Sequence, residues 1–464
     1  MICGFNCMEV NDKTIKWVNL LYTTLIGELK QVTVSHDDKF EEKSKTGFGK
    51  LDGSSIPGFK DIYESDLVLK PDLATLRMDP FQKETALVIS DIYEAGGKQR
   101  FVKDPRWVAI RTESYAEELG FKALVAAEAE FYIFDDLLVW LDSLSSGYKI
   151  KSREASASYK RKGLVFKNGY HAPLDLDYTY EIRNEISRIL GNYFDIQVES
   201  HHHEVGAAGQ VEINIKASNP LSMSDSIQLL KYVAKLVCYN KGKLASFLPK
   251  PIPTDNGSGL HMHVSLWRGD TNLFYDENDD YAQLSQLARY FIGGLIEHGK
   301  ALSAIVSPTV NSYKRLVPHY EAPIYLVWGK SNRSAAIRIP SYNGSPQSKR
   351  IEYRPPDPSA NPYLAISAVI LAGLDGIKKK IEPGDPLDLN IYKLSENERK
   401  RLGIKSLPGD LREALDELEN DHEFLLPGFT RELISSYLEV KRREWEIINR
   451  HVTPAEIYYY SSYL

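Results

Sequence analysis

Ala127-Glu128-Ala129-Glu130-Phe131 alternates apolar residues with carboxylates. This reads as a strand with Glu128 and Glu130 on one face, because successive side chains point to opposite sides. Three more stretches repeat the pattern further along the chain. Val211-Glu212-Ile213-Asn214-Ile215 sets Glu212 and Asn214 opposite its apolar residues, and Leu260-His261-Met262-His263-Val264 does the same with two imidazoles. Ile351-Glu352-Tyr353-Arg354 gives Glu352 and Arg354 a common face. A half-exposed antiparallel strand alternates in the same way, so no single stretch is decisive. Four of them, all carrying ionisable or metal-ligating groups, point to polar faces that converge on a cavity.

Carboxylates crowded into such a cavity could not stay ionised together without a counter-charge. A divalent metal supplies one, and an oxygen-rich donor set with one or two imidazoles suits Mg²⁺ or Mn²⁺ better than zinc. Without metal, mutual repulsion and burial are expected to raise the carboxyl pKa values. Glu199-Ser200-His201-His202-His203-Glu204 adds donors, but in a strand consecutive histidines face opposite sides, so only some reach one metal. The glycine-rich stretches at 52–58 and 255–259 read as turns. No GxxxxGK[ST] occurs and no GxGxxG follows a strand, which excludes a P-loop. Segment 311–357 is dense in arginine (Arg315, Arg333, Arg338, Arg350, Arg354), the residue that grips carboxylate and phosphate in a fork. Metals, acidic ligands and arginines, without a nucleophilic Cys or Ser motif, suggest phosphoryl chemistry on an acidic substrate.

The 464 residues are 43% hydrophobic and 26% charged, an ordinary globular composition. Lys and Arg number 57 against 63 Asp and Glu, a net charge of −6 that gives no global footprint for nucleic acid or an anionic membrane. Cys3, Cys7 and Cys238 are too few for a disulfide scaffold and fit a reducing compartment. No signal peptide and no apolar run of the ~20 residues needed to span a bilayer is read, so the cytoplasm is the expected location. Residues 14–104 read as a small β-rich domain and 105–464 as a larger α+β domain, with the boundary at Asp104-Pro105. Helices are expected over 107–119, from Ser224 as N-cap, over 361–379 and over 410–420. The polar stretch 143–167 reads as a surface loop. The basic run 378–380 suits the negative end of a helix.

The same residues closely resemble type I glutamine synthetase, from about Ile15 to the C-terminus. DGSSIPGF (52–59), ESD (64–66), EAEFYIFD (128–135), ESHHHEVGAAGQVEI (199–213), DNGSGLHMH (255–263), NSYKRLVPHYEAP (311–323), NRSAAIRIP (332–340) and RIEYRPPDPSANPYLA (350–365) occur in family order. The resemblance implies an α+β fold: an N-terminal β-grasp domain, then a catalytic domain whose antiparallel strands form a funnel flanked by helices. It implies a homododecamer of two stacked hexamers with sites between neighbouring subunits. It implies ATP-dependent ligation of ammonium to glutamate through γ-glutamyl phosphate.

Carried over by position, the resemblance gives one metal to Glu130, Glu204 and Glu212 and a second to Glu128, His261 and Glu352. Asn256, Gly257, Arg315 and Arg354 would hold glutamate, and Glu321 would close over the site. Arg333 and Arg338 would stabilise the transferred phosphoryl, with Glu199, His263 and Ser265 along the ATP. Asp52 and Tyr170, with Ser55, Asp66 and Glu204, match the ammonium site, the DGSS residues entering from the adjacent subunit.

Several positions depart from the family pattern. Gln347 stands where many relatives carry a nucleotide-contacting Lys, and His319 replaces a Gly of the flap motif. Asp61 sits where the feedback-inhibited subtype has an Arg. Tyr392 matches the Tyr that another subtype adenylylates, though the NIY triplet also occurs in unmodified relatives. Two other readings compete with the ammonium ligase. A γ-glutamyl-polyamine or monoamine ligase of the same fold tends to lose the ammonium-site Asp or Tyr, and both are present here. A non-catalytic synthetase-like protein binding nitrogen metabolites would lose metal-ligand or phosphoryl-binding positions.

Overall fold

The computed structural model describes residues 14–155, 163–318, 322–341 and 345–461. Cys3, Cys7, His319 and Glu321 lie outside the described residues. The N-terminal part is a sheet of β1 (Trp17–Thr23), β2 (Leu29–Ser35), β3 (Phe48–Asp52), β4 (Asp66–Pro71), β5 (Arg77–Met78) and β6 (Thr85–Glu94), with α1 (Phe40–Thr46) alongside. The strand order is β2-β1-β6-β4-β3, with β5 on β6. β1 and β6 run parallel, which is why the apolar runs of both are buried: Val18, Leu20, Leu21, Leu87, Val88 and Ile89 are all core.

Asp104 caps α2 (Pro105–Glu118), accepting from the Arg106 N–H at 3.0 Å, while its other oxygen accepts from Ile92 N–H. Burial beside Asp91 pushes the Asp104 carboxyl up to about 7. Arg106, buried at 3% exposure, reaches Asp72, Asp91 and Asp225. The fork thus ties β4 and β6 of the first sheet to a helix of the second part.

That second part is built on a sheet of β7 (Lys122–Phe134), β10 (Val198–His203), β11 (Gln210–Ser218), β12 (Leu244–Ser246), β13 (Leu260–Arg268), β14 (Thr271–Asn272), β15 (Tyr325–Lys330), β16 (Ala335–Ile339), β17 (Ile351–Tyr353) and β18 (Lys405–Ser406). The order is β10-β11-β7-β13-β17-β16-β15-β18, with β12 on β7 and β14 on β13. The expectation of antiparallel strands holds except at β15–β16, which pair parallel. The long stretch read as a surface loop holds part of a hairpin, β8 (Asp136–Leu141) with β9 (Ser146–Lys151). Leu138, Val139 and Leu144 of this hairpin are exposed. Only Tyr148 and Ile150 alternate with polar residues in β9, and just Ile150 packs on a core cluster, so the polar composition of the stretch hid the strand.

Helices α3 (Tyr180–Phe194), α4 (Pro220–Asn240), α5 (Gln286–Glu297), α6 (Gly299–Val306), α7 (Ser312–Arg315) and α8 (Pro362–Lys379) accompany the sheet. α4 begins a turn earlier than the sequence suggests. Asn219 caps it through Ser222 N–H, Pro220 takes the first position, and Ser224 lies inside with its hydroxyl on Pro220 O. α8 matches the helix expected over 361–379, with Asn361 as its cap and Lys378 and Lys379 in the last turn. The helix Leu411–Asn420 is capped by Asp410. Cys238 is buried, its thiol pushed up to about 12 by desolvation, which leaves it unreactive. No helix among the described residues is long and apolar enough to cross a membrane.

Candidate active site

Register fixes the site. On one face of the sheet, three rungs of paired residues run across the strands. His202 faces Glu212, which faces Glu130. Asn214 faces Glu128, which faces His261. His263 faces Glu352, which faces Arg338. Successive rungs use residues two apart, so all of these side chains share a side. The six expected metal ligands (Glu128, Glu130, Glu204, Glu212, His261 and Glu352) line one cavity of about 610 Å³, together with Tyr170, Asn256, Gly257, Arg315, Arg333, Arg338 and Arg354.

Two donor sets form within it. Ligand atoms of Glu128, His261 and Glu352 lie within 4.8 Å of one another, and so do those of His202, Glu204 and Glu212. His261 Nδ1 is 3.2 Å from Glu128 and 3.8 Å from Glu352. In the second set His202 Nε2 is 3.2 Å from Glu212 and its Nδ1 is 3.7 Å from Glu204. His202 belongs to this group although the sequence did not single it out. Alternation along the run implied that only some of the three histidines share a face, but that the middle one faces Glu212 is set by the pairing of β10 with β11. Glu130 stands beside the set, its carboxylate accepting from Gly259 N–H at 2.9 Å and from the Gln210 amide at 3.2 Å. Gln210, another residue the sequence reading passed over, also donates to Gly257 O at 2.9 Å. The oxygen-rich, thiolate-free donors fit two hard divalent cations, Mg²⁺ or Mn²⁺ rather than zinc.

The expectation of raised carboxyl pKa values holds for only part of the cluster. Burial pushes Glu204 up to about 8, reinforced by Glu130 and Glu212. Glu130 is also raised by burial, with Glu212 adding to it. Glu128 and Glu352 move the other way. Burial opposes ionisation of Glu128, but hydrogen bonds from His261 and His263 overcome it and hold the carboxyl well below its ordinary value. Glu352 falls to about 2, chiefly because the adjoining Arg354 guanidinium counters its burial. Arg338 and Arg354 both donate to this carboxylate. Hence internal cations already neutralise one half of the cavity, while the other half is short of positive charge.

Arg315 is 4% exposed and donates to Pro355 O at 2.8 Å and Arg354 O at 3.1 Å, both backbone acceptors. Desolvation lowers its pKa, the cost of a buried cation whose hydrogen-bond partners are uncharged. Gly259 lets it approach the donor set, since a Cβ there would meet His261 Nε2 at 2.6 Å and Arg315 at 2.8 Å. Asn256 is held through its backbone, whose carbonyl accepts from Tyr132 at 2.6 Å. Arg333 sits on the turn between β15 and β16, where Asn332 ties the turn down by donating to Leu387 O at 2.6 Å.

The remaining expected residues lie outside the cavity lining. His263 stands behind Glu128: Arg350 Nε donates to its Nδ1, so its Nε2 carries the proton donated to Glu128 at 2.8 Å. Ser265 accepts from the Trp267 indole, and exposed Glu199 falls at an irregularity in the β10–β11 pairing. Asp52 and Asp66 pair across β3 and β4, with Ser55 donating to Asp52 at 3.1 Å. All three are exposed on the first sheet's domain. Hydrogen bonds from Ser54 and Ser55 lower the Asp52 pKa. Gln347 is on an exposed turn, and the Tyr392 hydroxyl donates to Ala322 O.

An α+β chain with two divalent-cation donor sets facing buried arginines defines a class of phosphoryl-using enzyme. The sequence model of the "Glutamine synthetase, catalytic domain" matches residues 102–460, and that of the "Glutamine synthetase, beta-Grasp domain" matches 14–95. The glutamine synthetase of Sulfolobus acidocaldarius is 50% identical over 457 residues, covering 97% of this chain and 96% of that protein. The Plasmodium falciparum glutamine synthetase superposes with a TM-score of 0.87 at 30% identity, over 97% of both chains. A GmaS/ADP complex superposes with a TM-score of 0.83 at 27% identity, over 98% of both. The chain belongs to the glutamine synthetase family.

Proposed function

We propose that this chain is a glutamate–ammonia ligase that transfers the γ-phosphoryl of ATP to the side-chain carboxylate of glutamate. Ammonia then attacks the acyl carbon, phosphate leaves and glutamine forms. The observation that carries the reading is the charge-short half of the cavity beside buried Arg315, whose donors reach only backbone carbonyls among the described residues. Arg315 and Arg354, with Asn256 and Gly257, would take the α-carboxylate and α-amino groups of glutamate. Glu204 and Glu212, with His202 or Glu130, would hold one cation, and Glu128, His261 and Glu352 the other. Bound there, Mg²⁺ or Mn²⁺ would draw charge from the phosphate oxygens. Arg333 and Arg338 would stabilise the phosphoryl in transit, when fixed charges act most strongly. His263, Glu199 and Ser265 would lie along the nucleotide. Glu321 would close over the acyl phosphate and keep water away.

Asp52 would take a proton from ammonium, with Tyr170, Glu204, Ser55 and Asp66 completing that pocket. The exposure of Asp52 on its own domain supports its use by a neighbouring subunit. The uncovered Leu138, Val139 and Leu144, and Ile457 and Tyr458 near the C-terminus, support extensive assembly, in keeping with a dodecamer. A cytoplasmic location belongs to the same reading and rests on sparse cysteine. The test is ATP turnover by purified protein with glutamate, supplying ammonium or amines of increasing size. Preference for ammonium at equal free-base concentration is expected. Preference for an alkylamine would overturn the assignment.

A further inference from the structure

Of the three consecutive histidines, His202 enters the cavity and His203 turns away from it. His203 is 1% exposed, and Glu154, its partner across the fold, is 3% exposed. Its Nδ1 lies 2.7 Å from Glu204 O, an atom that only accepts, so Nδ1 carries a proton. Its Nε2 lies 3.2 Å from Glu154 Oε2. The other Glu154 oxygen accepts from Tyr178 N–H at 2.6 Å, and Glu154 O accepts from Leu164 N–H. One buried pair therefore fastens the end of β10 to two separate pieces of the chain.

The turn bearing Tyr170 packs directly on this pair. Gly169 N–H donates to Val205 O and His171 N–H donates to His203 O, each at 3.0 Å, so Tyr170 is bracketed between two backbone bonds. A Cβ on Gly169 would meet Glu204 O at 2.6 Å and His203 Cε1 at 2.7 Å. With its ring T-shaped to His202 at 5.6 Å, Tyr170 lines the cavity beside Glu204.

We infer that Glu154 and His203 are positioning residues for the ammonium pocket: the pair holds the end of β10 as a platform on which the turn 169–171 sets Tyr170 against Glu204. Neither side chain lines the cavity. The inference rests on the reading of Tyr170 and Glu204 as ammonium-binding groups. Separation of substrates distinguishes it from a purely structural role. Loosening the turn should weaken ammonium binding and leave the glutamate groups Asn256, Gly257, Arg315 and Arg354 and the ATP groups His263, Ser265, Arg333 and Arg338 as they are, since none of them lies on β10 or the turn, and Glu199 lies at the opposite end of β10 from His203.

The experiment measures KM for ammonium, glutamate and ATP in the assembled Mg²⁺-loaded enzyme and its variants, with hydrogen exchange of the 163–178 segment. Glu154→Ala should raise the ammonium KM about tenfold or more, the scale at which outer-shell partners act, and speed exchange in that segment. The glutamate and ATP KM values should stay unchanged. Glu154→Gln should restore near-normal values, because the amide can still accept from Tyr178 N–H and can donate to a neutral His203. Gly169→Ala, whose methyl would press on Glu204 O and the His203 ring and so push the turn off its platform while leaving Glu154 unaltered, should reproduce the ammonium defect and decides the matter if Glu154→Ala does not assemble. Unchanged ammonium KM in an assembled Glu154→Ala or Gly169→Ala enzyme would overturn the inference. So would an equal rise in all three constants, or a Glu154→Gln enzyme as impaired as Glu154→Ala. An unmutated enzyme that releases no ammonium-dependent phosphate would remove the functional reading and this inference with it.

Discussion

Glu212 and Glu130 are direct cross-strand partners on β11 and β7, and both are less than a tenth exposed. Like charges opposed across a ladder repel, and burial removes the water that would screen them. A cation bound between Glu212 and Glu204 relieves that repulsion. Adding Mn²⁺ or Mg²⁺ to the chelated protein should therefore raise Tm, by about 2.7 kcal/mol of stabilisation at a hundredfold excess over Kd. Glu212→Gln should raise the Tm of the metal-free form and shrink the metal-induced gain. Calorimetric scans with and without chelator measure both.

The pH response of the metal-free protein has a definite sign. Glu204 lies at about 8 against an ordinary 4.5, so it takes up protons on folding and the fold weakens as pH rises between those values. His202 is raised to about 9, its hydrogen bond and attraction to Glu212 overcoming burial. Its contribution is complete below 6.5 and is lost as pH climbs through 9. The metal-free Tm should fall from pH 5 to pH 9, and less steeply in Glu204→Gln. Metal affinity should rise over the same interval, because binding displaces those protons.

Much of this site was legible because strands convert sequence spacing into geometry. Glu128 and Glu130, Glu212 and Asn214, and His261 and His263 each repeat at two, and a period of two survives in any strand. The order of the strands cannot be read that way. That β11, β7, β13 and β17 are neighbours, and that His202 rather than its flanking histidines faces Glu212, follows from long-range pairing. Charge balance was only half visible: Arg354 shares a face with Glu352 at a spacing of two, but Arg338 comes within reach only when β16 and β17 pair. Consequently a uniform rise in carboxyl pKa values was the wrong expectation for half the cluster. The roles of Gln210 and Glu154 depend on contacts from distant loops and leave no local trace.

Arg315 offers a sharp test of the glutamate subsite. Each charge-assisted hydrogen bond is worth about 1.5–3 kcal/mol. Arg315→Ala should therefore raise the glutamate KM by roughly one to two orders of magnitude, with a much smaller effect on the ATP KM. Arg315→Lys should recover little, because an ammonium keeps the charge but loses the fork. Steady-state kinetics with each substrate varied in turn reads the split.

Placement of Asp52 outside its own chain's cavity lining predicts complementation. Asp52→Ala and Arg338→Ala enzymes should each be nearly inactive alone. Dissociated and reassembled together, they should regain part of the activity at interfaces where an intact Asp52 meets an intact Arg338. Mixtures that co-assemble by native mass spectrometry yet stay inactive would show that each chain completes its own site.

The two chemical steps should come apart at Asp52. Its side chain is exposed and its pKa is lowered by hydrogen bonds from Ser54 and Ser55, so it is ionised and available to attract ammonium at neutral pH. The arginines and donor sets proposed to activate the phosphoryl group line the cavity, from which Asp52 of the same chain is absent. Asp52→Ala should therefore leave glutamate phosphorylation largely intact, seen as ADP release or as γ-glutamyl phosphate trapped in a rapid quench. Amide formation should fall by about 10²–10⁴-fold, the usual contribution of a positioned general base, with loss of the ammonium-binding charge adding to it. A high concentration of hydroxylamine, which needs no deprotonation at neutral pH, should recover product in Asp52→Ala far better than ammonium does. Equal loss of both steps would move Asp52 from the nucleophile's side of the reaction to the phosphoryl side.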